Sequence, residues 1–359
     1  MAAMNNAVHV LDRNCSSQAV QEALTLSGGR ENVYRLGLLP ARRPFPQGRK
    51  EFLAGNGSSG RLIAPKSAKA SGRAELPEGQ VAICWSCAGL DSLADELSEE
   101  TPVIVRLLEL PSAADLRNLH AAAGQCMLGV ACANRMIAQA VEDSDVDARV
   151  AVVGPCASPK RHLDRQGLRR RLDIATDEIA VLAPEEPRRD SGHTYAAWAC
   201  AVLSVAEYPV RLIVPAEGPY TREVMAFASD GGFAGMVICS TLDAAEMAAA
   251  SDVALFLHER ELSPVALAEA AMAGLCVVGP DTPSGRAWLT DGENGLLTPP
   301  DVPRKIAQAV LRVIEDAPLA GRLAGASRDR RGQFDPRVAL AAWSGLCQEL
   351  RQTVASGRA

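Results

Sequence analysis

No stretch of this 359-residue sequence approaches the ~20 apolar residues that a membrane-spanning helix needs. Residues 1–25 hold no signal-peptide core, because Asp12, Arg13 and Asn14 interrupt it. The expected compartment is therefore the cytoplasm, with peripheral membrane contact left open. Basic residues are not in excess: 37 Lys and Arg against 43 Asp and Glu give a formal charge of -6, which argues against nucleic acid as a partner. Aromatic residues make up only 4%, and neither Pro nor Gly reaches the proportion of a low-complexity or fibrous chain. Metal-ligand spacing is missing too. Cys84-Trp85-Ser86-Cys87 is a lone C-x-x-C with no second pair and no H-x3-H after it, and it closes a strand-like run from Val81. The ten cysteines, scattered from Cys15 to Cys347, read as small buried hydrophobes of a reducing compartment.

The length suggests two domains rather than one core. In the first half, residues 8–11 form a candidate strand and residues 17–26 a helix. Residues 28–80, broken by Pro40, Pro44, Pro46, Gly55, Gly57 and Gly60, form loops around a short strand near 33–39. The basic residues of that segment, from Arg42 to Lys69, read as a solvated face, or as a surface for an anionic acceptor or a membrane. From Val81 the pattern alternates: strands at 81–85, 103–108 and 126–132, with helices at 91–97, 113–123 and 133–141. Such alternation implies parallel strands joined by crossover helices.

Residues 251–300 carry the strongest signal. The apolar run 253–257 suits a buried parallel strand, and 264–272 a packed Ala-rich helix with Ser263 as N-cap, Pro264 in its first turn and Gly274 at its end. Glu261 falls on the loop after the strand and Glu269 on the second turn of the helix, at the sheet edge where doubly wound folds bind ligands. Without the surrounding pattern, Glu261 would read as part of a charged loop and Glu269 as a helix surface residue.

The spacing E-x7-E, continued by E-A-A-M-A-G-x-x-V-V and D-G-E-N-G-L-L-x-P-P, resembles the donor-binding segment of family 4 (group 1) glycosyltransferases of the GT-B fold. The resemblance covers residues 150–350 well and the first 148 in architecture only. It implies an α/β protein with two Rossmann-like domains facing a central cleft: 1–148 as a divergent acceptor-side domain, 149–335 as the nucleotide-sugar domain, and a helix at 336–359 returning to the first. Residues 149–155 would be the strand and turn entering the second domain. It also implies a UDP- or GDP-sugar donor bound as substrate, transfer with retention, no cofactor and no metal, and an acceptor that the sequence leaves unnamed. By the same resemblance Glu261 is the catalytic residue facing the donor sugar, and Glu269 holds the ribose. Arg188 or Arg189 neutralises the diphosphate, and the backbone near Ser284 and Gly285 meets the distal donor.

Three departures from the family pattern stand out. Cys15, Ser16 and Ser17 replace a Gly-rich turn, Arg106-Leu107-Leu108-Glu109 lacks the usual His, and Ser191 stands where a Lys precedes Gly192. They support a second reading, a non-catalytic GT-B binding or partner subunit. An epimerase of the same fold finds no supporting His and acid placement.

Overall fold

The computed structural model describes residues 7–11, 22, 33–35, 81–87, 90, 102–157, 163–258 and 262–356. The chain forms two compact units, one of Met1–Cys156 with Phe334–Ala359 and one of Ala157–Gln333. The expected helices at 17–26 and 91–97 lie outside the described residues, save that Glu22 is helical.

The first unit is built on a parallel sheet in the order β2-β1-β3-β4-β5-β6. Its strands are β1 (Ala7–Leu11), β2 (Val33–Arg35), β3 (Val81–Cys84), β4 (Pro102–Leu107), β5 (Met127–Cys132) and β6 (Arg149–Val152). Every residue of β3 and β4 is buried, as the continuous apolar runs V-A-I-C and P-V-I-V-R-L require of strands covered on both faces. Helix α1 (Ala113–Ala123) opens on a capping box between Ser112 and Asp115, and α2 (Arg135–Glu142) on the Asn134 side chain. The terminal helix Pro336–Ala355 lies against β5 so closely that a Cβ on Gly129 would meet Leu350 at 2.9 Å. Cys84 and Cys87 are both buried, Cys84 within β3.

β6 differs from the sequence expectation. Residues 149–152 pair with β5, Gly129 opposite Arg149, as the last strand of the first sheet, and the second unit begins only after Cys156. A four-residue strand before a Gly-Pro turn carries no mark of the sheet it joins; ladder partners decide that.

The second unit is another six-stranded parallel sheet, in the order β12-β11-β10-β7-β8-β9. Chain order is α3 (Arg165–Arg171), β7 (Ile179–Leu182), α4 (His193–Val205), β8 (Val210–Pro215), α5 (Thr221–Asp230), β9 (Val237–Ser240), α6 (Ala244–Ala250), β10 (Val253–Leu255), α7 (Pro264–Ala273), β11 (Cys276–Pro280), α8 (Pro283–Arg286), β12 (Leu296–Thr298), α9 (Pro303–Glu315) and α10 (Ala317–Asp329). One face packs Ala197, Cys200 and Leu203 of α4 with Ile306 and Val310 of α9; the other packs Leu168, Met247, Leu267 and Ala270 from α3, α6 and α7. The chain leaves β7 towards β8 and β9, then returns to build β10, β11 and β12 on the other side. The strand order therefore reverses between β7 and β10. No helix among the described residues is long and apolar enough to cross a membrane.

Arg106 is the one charge in the buried run of β4, with 2% of its surface exposed. Its guanidinium meets both carboxylate oxygens of the wholly buried Glu22, at 2.7 and 3.0 Å, and donates to the carbonyls of Val153 at 2.6 Å and Ala131 at 3.3 Å. Trp343 of the terminal helix covers it, the ring centroid 5.8 Å from Cζ, and Trp85 stacks obliquely on Trp343 at 5.9 Å. Burial pushes the Glu22 carboxyl above its ordinary range, and the charge and hydrogen bonds of Arg106 offset part of that rise. Breaking such a pair leaves a charge stranded. Arg106→Leu is expected to destabilise the first unit by about 3–5 kcal/mol, while Arg106→Leu with Glu22→Leu recovers much of the loss. Urea unfolding followed by hydrogen exchange at the β4 and β5 amides checks both variants.

Candidate functional site

The loops that follow β7 and β10 part at the strand-order reversal, and most of the sequence-predicted residues of the second unit fall on or beside them. Residues 183–191, A-P-E-E-P-R-R-D-S, contain Pro184 and Pro187 and form neither helix nor strand. The loop is tied down all the same. Ala183 continues the ladder by donating to Ile213, and the Tyr220 amide donates to the carbonyl of Pro187 at 3.0 Å. The Ser191 hydroxyl accepts the Arg188 amide and donates to the Arg188 carbonyl, both at 2.8 Å. Gly192 then turns with φ 72°, and a Cβ there would meet Leu257 at 2.5 Å, so backbone conformation and space both require glycine before α4.

His193 opens α4 with only 2% of its surface exposed, Nδ1 lying 2.7 Å from the Ser191 hydroxyl. Burial drives its pKa down to about 4, against the raising effect of the backbone carbonyls of Ala183 and Glu185 and with a smaller lowering from His258. The imidazole is thus neutral near pH 7. His258, on the β10 side, is half-buried and faces the Asp190 carboxylate at 3.6 Å.

Beyond β10, Phe256 and Leu257 are buried, and Glu261 lies outside the described residues. The Leu262 amide donates to the Ser284 hydroxyl at 2.9 Å, and the Ser263 amide to Oε1 of Glu185 at 3.0 Å. Ser263 caps α7 through the Ala266 amide, Pro264 occupies the first turn, and Gly274 closes the helix at φ 77°. Every residue from Pro264 to Ala271 is buried, including Glu269 at 6% exposure. The reading of Glu269 as a helix surface residue is therefore wrong: it is the one ionisable side chain of an otherwise apolar helix packed against the sheet.

The other candidates land as follows. Ser284 is buried and supports the β10 loop through its hydroxyl. Gly285 is glycine because a Cβ would sit 1.9 Å from the carbonyl oxygen of Pro280, where the short helix α8 is pressed onto the end of β11. Arg188 and Arg189 are exposed, and Arg188 pairs with Glu186 at 3.2 Å. Glu185, on the same loop, is buried at 6% exposure. The signal that could have marked it is its position directly after a buried central strand, held between two prolines. Glu217 sits in the neighbouring turn, its carboxyl raised by desolvation and by the negative charge of Glu186. Among the described residues no group of three or more His, Cys, Asp or Glu converges as metal ligands would.

A carboxylate on a helix wall beside a strand-order reversal is suited to accept hydrogen bonds from a bound polyhydroxylated ligand. Residues 179–316, which contain this region, match the family described as glycosyl transferases group 1. The fold of the chain is also similar to that of Anabaena HepE solved with UDP and glucose, at 15% identity over 98% of this chain and 99% of that one, with a TM-score of 0.68. A glycosyltransferase from Rickettsia africae is 11% identical over 96% and 99%, with a TM-score of 0.64. Sucrose-phosphate synthase from Thermosynechococcus elongatus is 17% identical over 77% and 74%, with a TM-score of 0.62. At such identities the likeness gives the fold, which is GT-B. No curated protein sequence matches the chain.

The buried His193 gives the second unit a pH signature. Between pH 6.5 and about 4 the unfolded chain binds a proton on this ring that the folded domain refuses, so stability falls as pH drops through that window. The loss attributable to His193 reaches at most about 3 kcal/mol. Denaturant titrations across that pH range check this, and His193→Gln should flatten the slope.

Proposed function

We propose that this chain transfers a sugar from a UDP- or GDP-sugar to an acceptor, with retention of anomeric configuration. The observation that carries the reading is Glu269, a carboxylate buried in α7 beside the β7/β10 reversal, within the segment that matches the group 1 glycosyltransferases. A carboxylate so placed accepts hydrogen bonds from the vicinal hydroxyls of a ribose, an interaction worth more out of water than in it. Glu261 is assigned to the donor sugar, and the backbone at Ser284 and Gly285 to the distal part of the donor. Arg188 and Arg189, on the tethered loop after β7, are assigned to the diphosphate, where paired cations stabilise the departing nucleotide. The donor enters as substrate, and no metal or cofactor is invoked. The complexes of HepE with UDP, with UDP and glucose and with UDP-glucose support a nucleotide-sugar donor by analogy of fold.

A second reading, a GT-B binding or partner subunit without transferase chemistry, is favoured by one specific observation. The Ser191 hydroxyl, where the family sets a lysine, is spent on the Arg188 backbone. Calorimetric titration with UDP, GDP and their common sugar conjugates separates the two. For a transferase, one nucleotide binds, and Glu269→Ala weakens it at least about tenfold through the lost charge-assisted bonds. A folded protein that binds none of these ligands would sink the transferase reading.

A further inference from the structure

We propose that the outer face of α4 and α5 is the surface through which two copies of this chain pair about a two-fold axis. The sequence of α4, H-T-Y-A-A-W-A-C-A-V-L-S-V, carries no Asp, Glu, Lys or Arg. Ala196, Ala197, Ala199, Cys200 and Leu203 already fill the core. The opposite side is apolar as well: Trp198 is 51% exposed and Val205 87%, with Ala201 and Val202 half-buried. Trp198 heads a row of rings, its centroid 6.5 Å from that of Phe227 on α5, which lies 5.7 Å from Phe233. A helix apolar on every side belongs between two layers, and the described residues supply only one. An exposed Trp backed by packed rings is the kind of group that anchors an interface once water is excluded.

The charges around this face fit a second copy. α4 packs against both α5 and α9. The three helices run the same way. The Tyr220 amide at the start of α5 meets the Pro187 carbonyl ahead of α4, and Tyr208, just past the end of α4, donates its hydroxyl to Glu315 at the end of α9. Helix α9 opens on exposed Arg304 and Lys305, after Asp301, and closes on Arg312, Glu315 and Asp316. Cations in a first turn and acids at a helix end oppose the helix dipole, so the stability of α9 by itself does not account for them. Glu207 and Asp230 add to the acidic end at the close of α4 and α5, while Arg222 and Glu223 offset one another at the start of α5. A two-fold axis lying across the helices sets each antiparallel to its own copy. Arg304 and Lys305 of one protomer then meet the acidic end of α9 in its partner, and the uncharged α4 faces itself around Trp198. An isologous contact must be self-complementary, and this face is apolar along its middle and opposite in charge at its two ends. Pairing here is independent of what the nucleotide site binds.

Sedimentation velocity of the full chain across a wide concentration range tests the pairing. The expected result is a monomer–dimer equilibrium that weakens as salt is added. Val205→Asp and Trp198→Asp, each confirmed as folded by its melting curve, should weaken the dimer at least about tenfold. Val205 is so exposed that its substitution leaves folding intact and isolates the contact. Lys305→Glu should also weaken pairing, and Lys305→Glu combined with Glu315→Lys should restore it, because the swap returns opposite charges across the axis. A wild type that stays monomeric, or a dimer unmoved by Val205→Asp and Trp198→Asp, would overturn the proposal. A charge swap that fails to restore pairing would overturn the antiparallel arrangement. Monomeric wild type captured by phosphatidylglycerol vesicles, with capture lost in Val205→Asp, would replace the second copy with a lipid surface.

Discussion

The pairing of β7 with β8 on one side and β10 on the other is the constraint on which the second unit depends. Because the chain fills one side of the sheet before the other, the chain leaving β7 and the chain leaving β10 continue to opposite sides of the strand order, and neither satisfies the polar groups of the other by continuing a ladder. Buried amides at that edge must then find side chains. They do so through Glu185, Ser284 and Ser191, each short enough to reach and each carrying the oxygen that a strand partner would have supplied. The candidate site is in this sense a consequence of the strand order.

Buried charge is used differently elsewhere in the molecule. In the first unit Arg106 gathers a carboxylate and two nearby carbonyls, and joins β4 to Glu22 and to the ring of Trp343. In the second unit Arg169 of α3 donates to the carbonyls of Ala250, Ala175 and Glu178 and to Asp252, whose carboxylate also accepts the Ala180 amide. These groups stitch successive elements together. The edge beyond β7 and β10 instead holds a neutral imidazole and one buried carboxylate, Glu185, on a Pro-rich loop, which costs stability, as functional sites commonly do.

Much of the architecture was legible in sequence, because parallel strands buried on both faces leave continuous apolar runs and because helix ends are written in caps. The strand near 253–257 and the Ser263-Pro264 start and Gly274 stop of α7 are local signals with local causes. Pairing is not local. Arg149–Val152 reads as an entry strand until its register against Gly129 is known. Among site residues, the E-x7-E spacing marked Glu269, but its burial comes from the sheet behind α7 and from no feature of its own helix.

The sequence by itself determined the alternation of elements, the helix caps, the glycine at 192 before α4 and the family-like spacing from Glu261 to Pro300, since each depends on residues a few positions apart. Only the tertiary structure decided that Glu185 is buried against the Ser263 amide, 78 positions away. It also decided that Ser191 is a loop tie, that Gly285 answers to the Pro280 carbonyl, and that Arg106 needs Glu22. The physical reason is common to all four. A polar or close-packed group is defined by what desolvates it and what bonds it, and in a doubly wound fold those partners arrive from distant parts of the chain.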